Sequence, residues 1–472
     1  MSVLRCQRAA PGPRGSAMGP GGMPLRHRAP ALLLVMALLL TSAAGCGTLR
    51  AGPSSPDQDG NALIERPVRV LAESGAWTWF NDERALVAGP YLYVGHVDSA
   101  GYSSVTTYPV EDDAALSVKT TRLSSFREVD DHDNPALLRL SDGRVLATYA
   151  QHHEETHWYW RYEDAAPQHI DWSPEQRTEA VGVKVTYNNL FQLTAEEGRL
   201  YNFFRGLNYD ATLMTSDDGG QTWSAPRHFI QSAGGDTRPY VKYASDGKGR
   251  IDLLYTQGHP RKVENNVYHL YYAGGALHKS DGTVICRVEQ PGCLPVAARQ
   301  GTKIYDAAQA GRGWVWDIEY ASGGAPVGAY IAARDSTVGR DLRYRYARYD
   351  TDAGAWRERE IAHAGTYLYD DERHYAGGIT IDPARPRTVY VSADVHPQTG
   401  DSTATGRYQI WRGAADGNDW TWTQVTQNRA VDNLRPFVPR GSERSGHRAL
   451  LWLRGRYTTY EDYDTAVVGM VD

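Results

Sequence analysis

The chain has 472 residues, with 50 basic and 56 acidic side chains for a net charge of −6, and 41% of it is hydrophobic. Five arginines and no acid fall in the first 45 residues, so the remainder carries 45 basic against 56 acidic residues, a net of −11. That balance excludes a nucleic-acid binder that works by charge, and an anionic substrate would have to be drawn by a local basic site.

In chain order, residues 1–45 read as an export signal. Arg26, His27 and Arg28 precede the apolar run Ala31–Leu40 and the small residues up to Cys46. The run is too short to span a membrane. Ala43-Ala44-Gly45-Cys46 resembles a bacterial lipobox, with Ala43 where Leu is usual, which implies a lipid on Cys46. The expectation is an exported lipoprotein, at the cell surface or on the periplasmic side of a membrane, that meets the membrane only through its lipid anchor. The alternative is plain secretion. Residues 46–67, with "AGPSSPDQDGN", form a flexible tether. Residues 68–472 then run without a linker or charge block as one domain, expected to be monomeric. About 400 residues exceed an ordinary single core, but repeat architectures escape that limit.

Within this domain short alternating strands recur: "YLYVGHVD", "RVLATYA", "RLYNFFRG", "RIDLLYT", "LRYRYARYD", "TVYVSADV" and "ALLWLRG". Turn signals separate them, "SDG" at 141, 245 and 280 and "DDGG" at 217. The strands group into seven units near 77–115, 120–170, 183–230, 236–290, 300–360, 368–425 and 430–472. Units of this size predict an all-β fold, a β-propeller with seven blades of four-stranded antiparallel sheets. Ser216–Trp223, "SDDGGQTW", matches the Asp-box S-x-D-x-G-x-T-W, in which Asp218 bonds the turn, Gly220 permits it and Trp223 packs between blades. A propeller must close without an open edge, so the last strand pattern, "TAVVGMV", is expected to share a blade with the first.

Ala136–Leu140 and Val145–Tyr149 flank Ser141-Asp142-Gly143 as a hairpin. A turn centred on Asp142 pairs residues whose numbers sum to 284, which brings His132 opposite His152, or His153 after a slip of one residue. Two imidazoles at one strand end are either a solvated tip or a site. "CRVEQPGC" places Cys286 and Cys293 in a small disulfide loop. The alternative is a metal pair with His269 or His278.

The chain resembles the BNR-repeat propeller proteins that include ulvan lyases and rhamnosyl-glucuronate lyases. The segments that carry the resemblance are "DDHDNPALLRLSDGRVLATYAQH", "VTYNNLFQL", "RLYNFFRG" with its Asp-box, "TRPYVKYASDGKGRIDLLYTQGHPR", "VYHLYYAGGALHKSDG", "YAGGITIDPARPRTVYVSADV" and "LLWLRGRYTTYEDYDT". They cover most of 77–472 in order. In such lyases two histidines sit beside a tyrosine and an arginine in the central cleft. The resemblance therefore implies His132, His152, Tyr187 and Arg205 as catalytic candidates. The interval from His152 to Tyr187 is shorter than in the family, and Tyr209 is the fallback. His153, Tyr209, Tyr240, Tyr243, His259 and His374 are candidate substrate contacts.

The chemistry implied is β-elimination from an anionic, uronate-containing polysaccharide. A base removes the proton on C5 beside the carboxylate, a cation neutralises that carboxylate, and an acid protonates the leaving oxygen on C4. Arg suits the carboxylate, His the base near neutral pH, and Tyr the acid or base. No cofactor is required. A structural calcium or zinc is allowed, because "DDHD" and "DDERH" look like ligand sets, although the commoner reading of such runs is solvated loops and turn caps. Two other classes compete. A sialidase-like propeller hydrolase would share the Asp-box, but the chain has no Arg-Ile-Pro segment. A non-catalytic surface glycan-binding propeller could use the aromatics of "THWYWRY" as stacking platforms.

Overall fold

The computed structural model describes residues 62–111, 116–152, 154–163, 171–232, 237–334, 341–441 and 446–472. The expected export signal, Cys46, most of the expected tether and His153 lie outside these residues. Helix is confined to single turns such as Ala307–Ala310 among the described residues. None is long and apolar enough to cross a membrane.

The strands form seven sheets in chain order. The first blade runs Ala85–Ala88, Tyr91–Val97, Ser103–Pro109 and Lys119–Arg122. The second runs Ala136–Arg139, Val145–Tyr149, Tyr159–Glu163 and Gln176–Arg177, and the third Thr186–Leu193, Arg199–Arg205, Ala211–Ser216 and Arg227–Gln231. The fourth begins Tyr240–Ser245, Arg250–Thr256 and Val267–Ala273. The fifth and sixth cover Arg312–Tyr320 to Ala355–Gly365 and Ile379–Asp382 to Asp419–Gln424. The seventh is Asp432–Phe437, Ala449–Thr459 and Asp462–Val471, completed by Arg69–Ala72. Each blade is an antiparallel meander, and at most of the junctions between neighbouring blades the first strands lie against one another, as a propeller requires.

The ring closes as expected. Arg69 pairs with Gly469 and Val70 with Val468, so the outer strand of the last blade comes from the start of the domain. Two features depart from seven equal blades. Residues 276–305 add Val296–Ala297 to the third sheet and Ala276–His278, Val284–Arg287 and Thr302–Tyr305 to the fourth. The Cys286–Cys293 disulfide sits in that excursion. His278 stacks on Tyr271, and His269 bonds to Asp252 and Ser280, so neither histidine forms the alternative metal pair.

The second departure positions the site. Residues 76–84, expected at the start of the first blade, run through the centre instead. Trp79 Nε1 donates to the Val315 carbonyl in the fifth blade at 3.1 Å. Asn81 Nδ2 donates to the carbonyls of His132 and Asn134 at 2.8 and 2.7 Å. Asn188 N donates to Asn81 Oδ1 at 2.9 Å. Lys242 reaches the Trp79 carbonyl and Asp82, and Arg435 reaches the Trp77 carbonyl. Trp79 also stacks on Trp316 with centroids 4.0 Å apart. One central segment thus ties five blades together through hydrogen bonds that satisfy polar groups whose burial unpaired would cost free energy.

The Asp-box does what its sequence implies. Thr222 N donates to Asp218 Oδ1 at 2.9 Å, Gly220 has φ +91°, and Trp223 of the third blade meets Trp158 of the second edge-on at 4.8 Å. The "THWYWRY" aromatics Trp158, Tyr159, Trp160 and Tyr162 are buried in blade packing and offer no platform to a sugar.

Candidate active site

The site begins with the predicted hairpin. Leu138 pairs with Leu146 and Ala136 with Thr148, the register that sums to 284. Pairing stops at Pro135, which lacks an N–H donor, and the chain then turns through a 3₁₀ segment, Asp131–Asp133. Asp130 caps that turn by accepting from His132 N at 2.9 Å. The result is that His132 and His152 stack, with ring centroids 4.1 Å apart and planes 19° apart.

One carboxylate joins the two rings. Asp130 Oδ1 lies 2.5 Å from His132 Nδ1, and Asp130 Oδ2 lies 2.7 Å from His152 Nδ1. Asp131 adds a second oxygen 3.3 Å from His132 Nδ1. Burial alone would raise the Asp130 carboxyl, but the two imidazoles outweigh it and hold it well below the usual carboxylate range. Burial works against a charge on His132, yet Asp130 and then Asp131 raise it above the ordinary histidine value. His152 is lowered to about 4, by burial first and then by the charge of His132. The hairpin therefore presents two imidazoles of unlike basicity, with His132 the more readily protonated and His152 neutral at neutral pH.

The "DDHD" run is not a solvated loop: Asp130, Asp131, His132 and Asp133 are all buried. Asp131 accepts from Arg435 Nη1 at 2.5 Å, and Tyr457 donates to the same carboxylate at 2.5 Å. Arg435 Nη2 donates to Tyr457 Oη at 2.6 Å. This buried triad holds the 3₁₀ turn from the seventh blade, and no motif in the sequence marks it.

Tyr187 and Arg205 reach the same place from the third blade. Thr186 pairs with Arg205, and the ladder then slips at Tyr187, whose φ is +59°. Such a bulge re-aims a side chain, and here it turns Tyr187 toward the imidazoles, 5.5 Å from His132 and 6.4 Å from His152. Burial pushes the Tyr187 hydroxyl up while Arg205 pulls it down, so it stays protonated. The Arg205 guanidinium lies over the Tyr187 and Tyr240 rings at 4.5 and 4.4 Å. It is 5% exposed, and its Nη2 has no hydrogen-bond partner. Among the described residues it forms no ion pair, and the groups that act on its charge are tyrosines.

Tyr240 continues the wall toward the fourth and fifth blades, 4.5 Å from Trp314 and 5.5 Å from His259. His259 Nε2 lies 3.3 Å from Glu372, which also accepts from Arg261 Nη1 at 2.7 Å. His259 falls well below the ordinary histidine value through burial, then through the charges of Arg261 and His374. Burial brings Glu372 up to about 7 despite Arg261. His374, buried two residues on, is close enough for its charge to act on His259, whereas Asp370, Asp371 and Arg373 of "DDERH" are exposed, as expected of a solvated loop.

Two candidates stand apart. Tyr243 is three residues along the strand from Tyr240 and points the other way, stacking on Phe203 at 4.7 Å inside the packing of the third and fourth blades. Tyr209 lies in a turn beyond Arg205, its ring under Arg238 at 4.6 Å. Sequence reading missed Tyr460, at the tip of the last hairpin. It meets His132 and His152 edge-on at 5.0 and 5.8 Å, on the other flank from Tyr187. The one signal for it was its place in "TTYEDYDT".

Donor atoms of Asp130, His132 and His152 lie within 4.8 Å of one another. Each Nδ1, however, is engaged by its own Asp130 oxygen, and the two imidazoles do not supply the oxygen shell that calcium takes. The donor types suit zinc better than calcium, but the geometry is that of a carboxylate bridging two rings.

A model of the BNR repeat-containing family matches residues 91–364. No curated protein sequence matches the chain. Among solved structures, a PL25 ulvan lyase bound to -[GlcA(1-4)Rha3S]- is similar at TM-score 0.58 and 14% identity, covering 84% of this chain and 94% of that one. A second structure of a PL25 ulvan lyase gives TM-score 0.58 and 14% identity over 85% and 95%. An α-L-arabinanase from Penicillium chrysogenum reaches TM-score 0.43 at 15% identity over 71% and 92%. At these identities the likeness is one of fold. The family match runs from the second strand of the first blade to the end of the fifth, more than half of the chain, and the chain belongs to the BNR repeat-containing family.

Proposed function

We propose that the protein is a polysaccharide lyase that cleaves a uronate-containing polysaccharide, ulvan-like or rhamnosyl-glucuronate, by β-elimination. The observation that carries this reading is Arg205. It is a buried cation with an unfilled Nη2, set between two tyrosine rings beside a neutral imidazole. Leaving a buried guanidinium nitrogen unfilled is costly, and a substrate carboxylate would complete it with charge-assisted hydrogen bonds.

The roles follow from protonation. His152, neutral above about 4, accepts the C5 proton. The electron pair of that C–H bond forms the C4–C5 double bond as the C4–O bond breaks. Tyr187, kept protonated by burial, donates to the leaving oxygen. Arg205 stabilises the charge that builds on the carboxylate, helped by His132, whose carboxylate neighbours make it the more basic imidazole. Tyr240, His259 and His374 line the cleft as sugar contacts. The substrate class also agrees with that of the PL25 ulvan lyases of the same fold. Export and lipidation at Cys46, which would put this cleft where polysaccharide is met, belong to the same proposal.

The test is ultraviolet absorbance from the unsaturated uronate during incubation with ulvan, gum arabic and glucuronan. Rising absorbance supports elimination. Shortened chains without absorbance would identify a hydrolase, and intact bound chains a glycan-binding propeller.

A further inference from the structure

Most side chains of the cleft have an evident partner or task, but Asp130 has no place in the chemistry above. It cannot touch a substrate: it is 2% exposed and lies behind the imidazoles, on their Nδ1 side. Its two oxygens are nonetheless fully committed. Oδ1 takes His132 N at 2.9 Å and His132 Nδ1 at 2.5 Å, and Oδ2 takes His152 Nδ1 at 2.7 Å. The backbone around it is fixed as well, since Asp131 N donates to the Tyr460 carbonyl at 2.9 Å and Asp133 N to the Asp130 carbonyl at 3.2 Å.

We propose that Asp130 is the shared positioning residue of the site: its single carboxylate accepts Nδ1–H from both His132 and His152, so that both rings turn Nε2 toward the cleft. The role in catalysis rests on the lyase reading above; the hydrogen-bond assignment does not. The argument is one of capacity. An ionised carboxylate only accepts, so each Nδ1 facing it must carry the proton. A neutral ring with Nδ1–H has its lone pair on Nε2, the form a base needs. The bridge also explains the stacking. Two rings 4.1 Å apart with planes 19° apart would repel if both were charged, and one anion between their Nδ1 edges holds them in register. A cation held by Asp130 and the two Nδ1 atoms would require the reverse arrangement, with bare Nδ1 lone pairs.

The consequence is specific. In Asp130→Asn the amide has one accepting and one donating end. It can satisfy one Nδ1–H, while its NH₂ forces the other ring into the Nε2–H form and removes a lone pair from the cleft. Orienting carboxylates of this kind cost up to about 10⁴-fold when made amides.

The experiment is long-range ¹H–¹⁵N NMR of the histidine rings in the full chain without substrate, at neutral pH. In the wild type, both rings should carry a proton on Nδ1, and His152 should have a bare Nε2. In Asp130→Asn one ring should switch to Nε2–H. With an active polymer, kcat should fall about 10²–10⁴-fold with KM changed less than threefold, and Asp130→Glu should recover part of it. A bare Nδ1 on either wild-type ring would overturn the proposal, as would a pattern that changes with a chelator and returns with zinc. The wild-type spectrum is decisive even if the variant fails to fold. Correct tautomers in a protein without lyase activity would sink the lyase reading and leave Asp130 as the bridge.

Discussion

Asp131 and Arg435 form a buried ion pair between residues 304 positions apart, at 2.5 Å and each 1% exposed in its side chain. It joins the turn that carries His132 to the first strand of the last blade, so the geometry of the site depends on the ring being closed.

Removing one partner of that pair should be expensive. Arg435→Leu leaves Asp131 buried with only the Tyr457 hydroxyl and the more distant His132 Nδ1 to meet its charge. A loss of about 3–5 kcal/mol in unfolding free energy is expected, measured by urea denaturation. Asp131→Asn with Arg435→Leu should recover part of the loss, because no uncompensated charge remains.

Closure can be tested directly. A chain that starts after Ala72 leaves Asp462–Val471 as an open sheet edge. Such an edge templates pairing with other chains. The truncated protein should elute as oligomers or aggregate in size-exclusion chromatography, whereas a chain starting at residue 62 should remain monomeric.

At the cleft, Arg205→Ala should lower kcat/KM by about 10²–10³-fold, the range for a lost donor to developing charge. Arg205→Lys should restore little, because a point charge does not grip a carboxylate with two parallel hydrogen bonds. Steady-state absorbance assays on the active polymer measure both, and unaltered circular dichroism would separate chemistry from folding.

Two tyrosines flank the imidazoles, and their environments separate them. Tyr187 is buried beside Arg205, whereas Tyr460 is only partly buried and raised only to about 12, chiefly by burial. Tyr187→Phe should reduce kcat about 10²–10⁴-fold as a lost general acid. Tyr460→Phe should raise KM severalfold at nearly constant kcat. The opposite pattern would transfer the acid role to Tyr460.

Acid pH should weaken the fold before it stops the chemistry. His96 and His152 are both lowered to about 4, chiefly by burial, and bind protons more weakly folded than unfolded. Their contribution is complete above the unfolded value of about 6.5 and is lost as pH falls toward 4, with a slope of about 1.4 kcal/mol per pH unit for each. His132 has the opposite sign: raised by its carboxylates against burial, it stabilises the fold below about 6.5 and loses that contribution as pH rises through its folded value. Thermal melts at pH 7, 6, 5 and 4 should show the acid-side decline, and His96→Gln should flatten it. Activity should fall on the alkaline side as His132 deprotonates.

Local chemistry made much of this protein legible in its amino-acid order. Ser141-Asp142-Gly143 sets a turn, the turn sets the register, and the register brings His132 to His152, all within two dozen residues. The Asp-box likewise contains its own donors and acceptors. The seven-bladed count follows from alternation and turn spacing. What depends on distant chain was decided only in the folded ring. The central course of residues 76–84, the Asp131–Arg435–Tyr457 triad and the place of Tyr460 each join segments whose separation in sequence carries no periodic signal. Tyr240 and Tyr243 share one short strand, yet one faces the cleft and the other the core. Side-chain direction alternates along a strand with a phase that neighbouring blades set, and a single bulge at Tyr187 is enough to turn a core position into a cleft position.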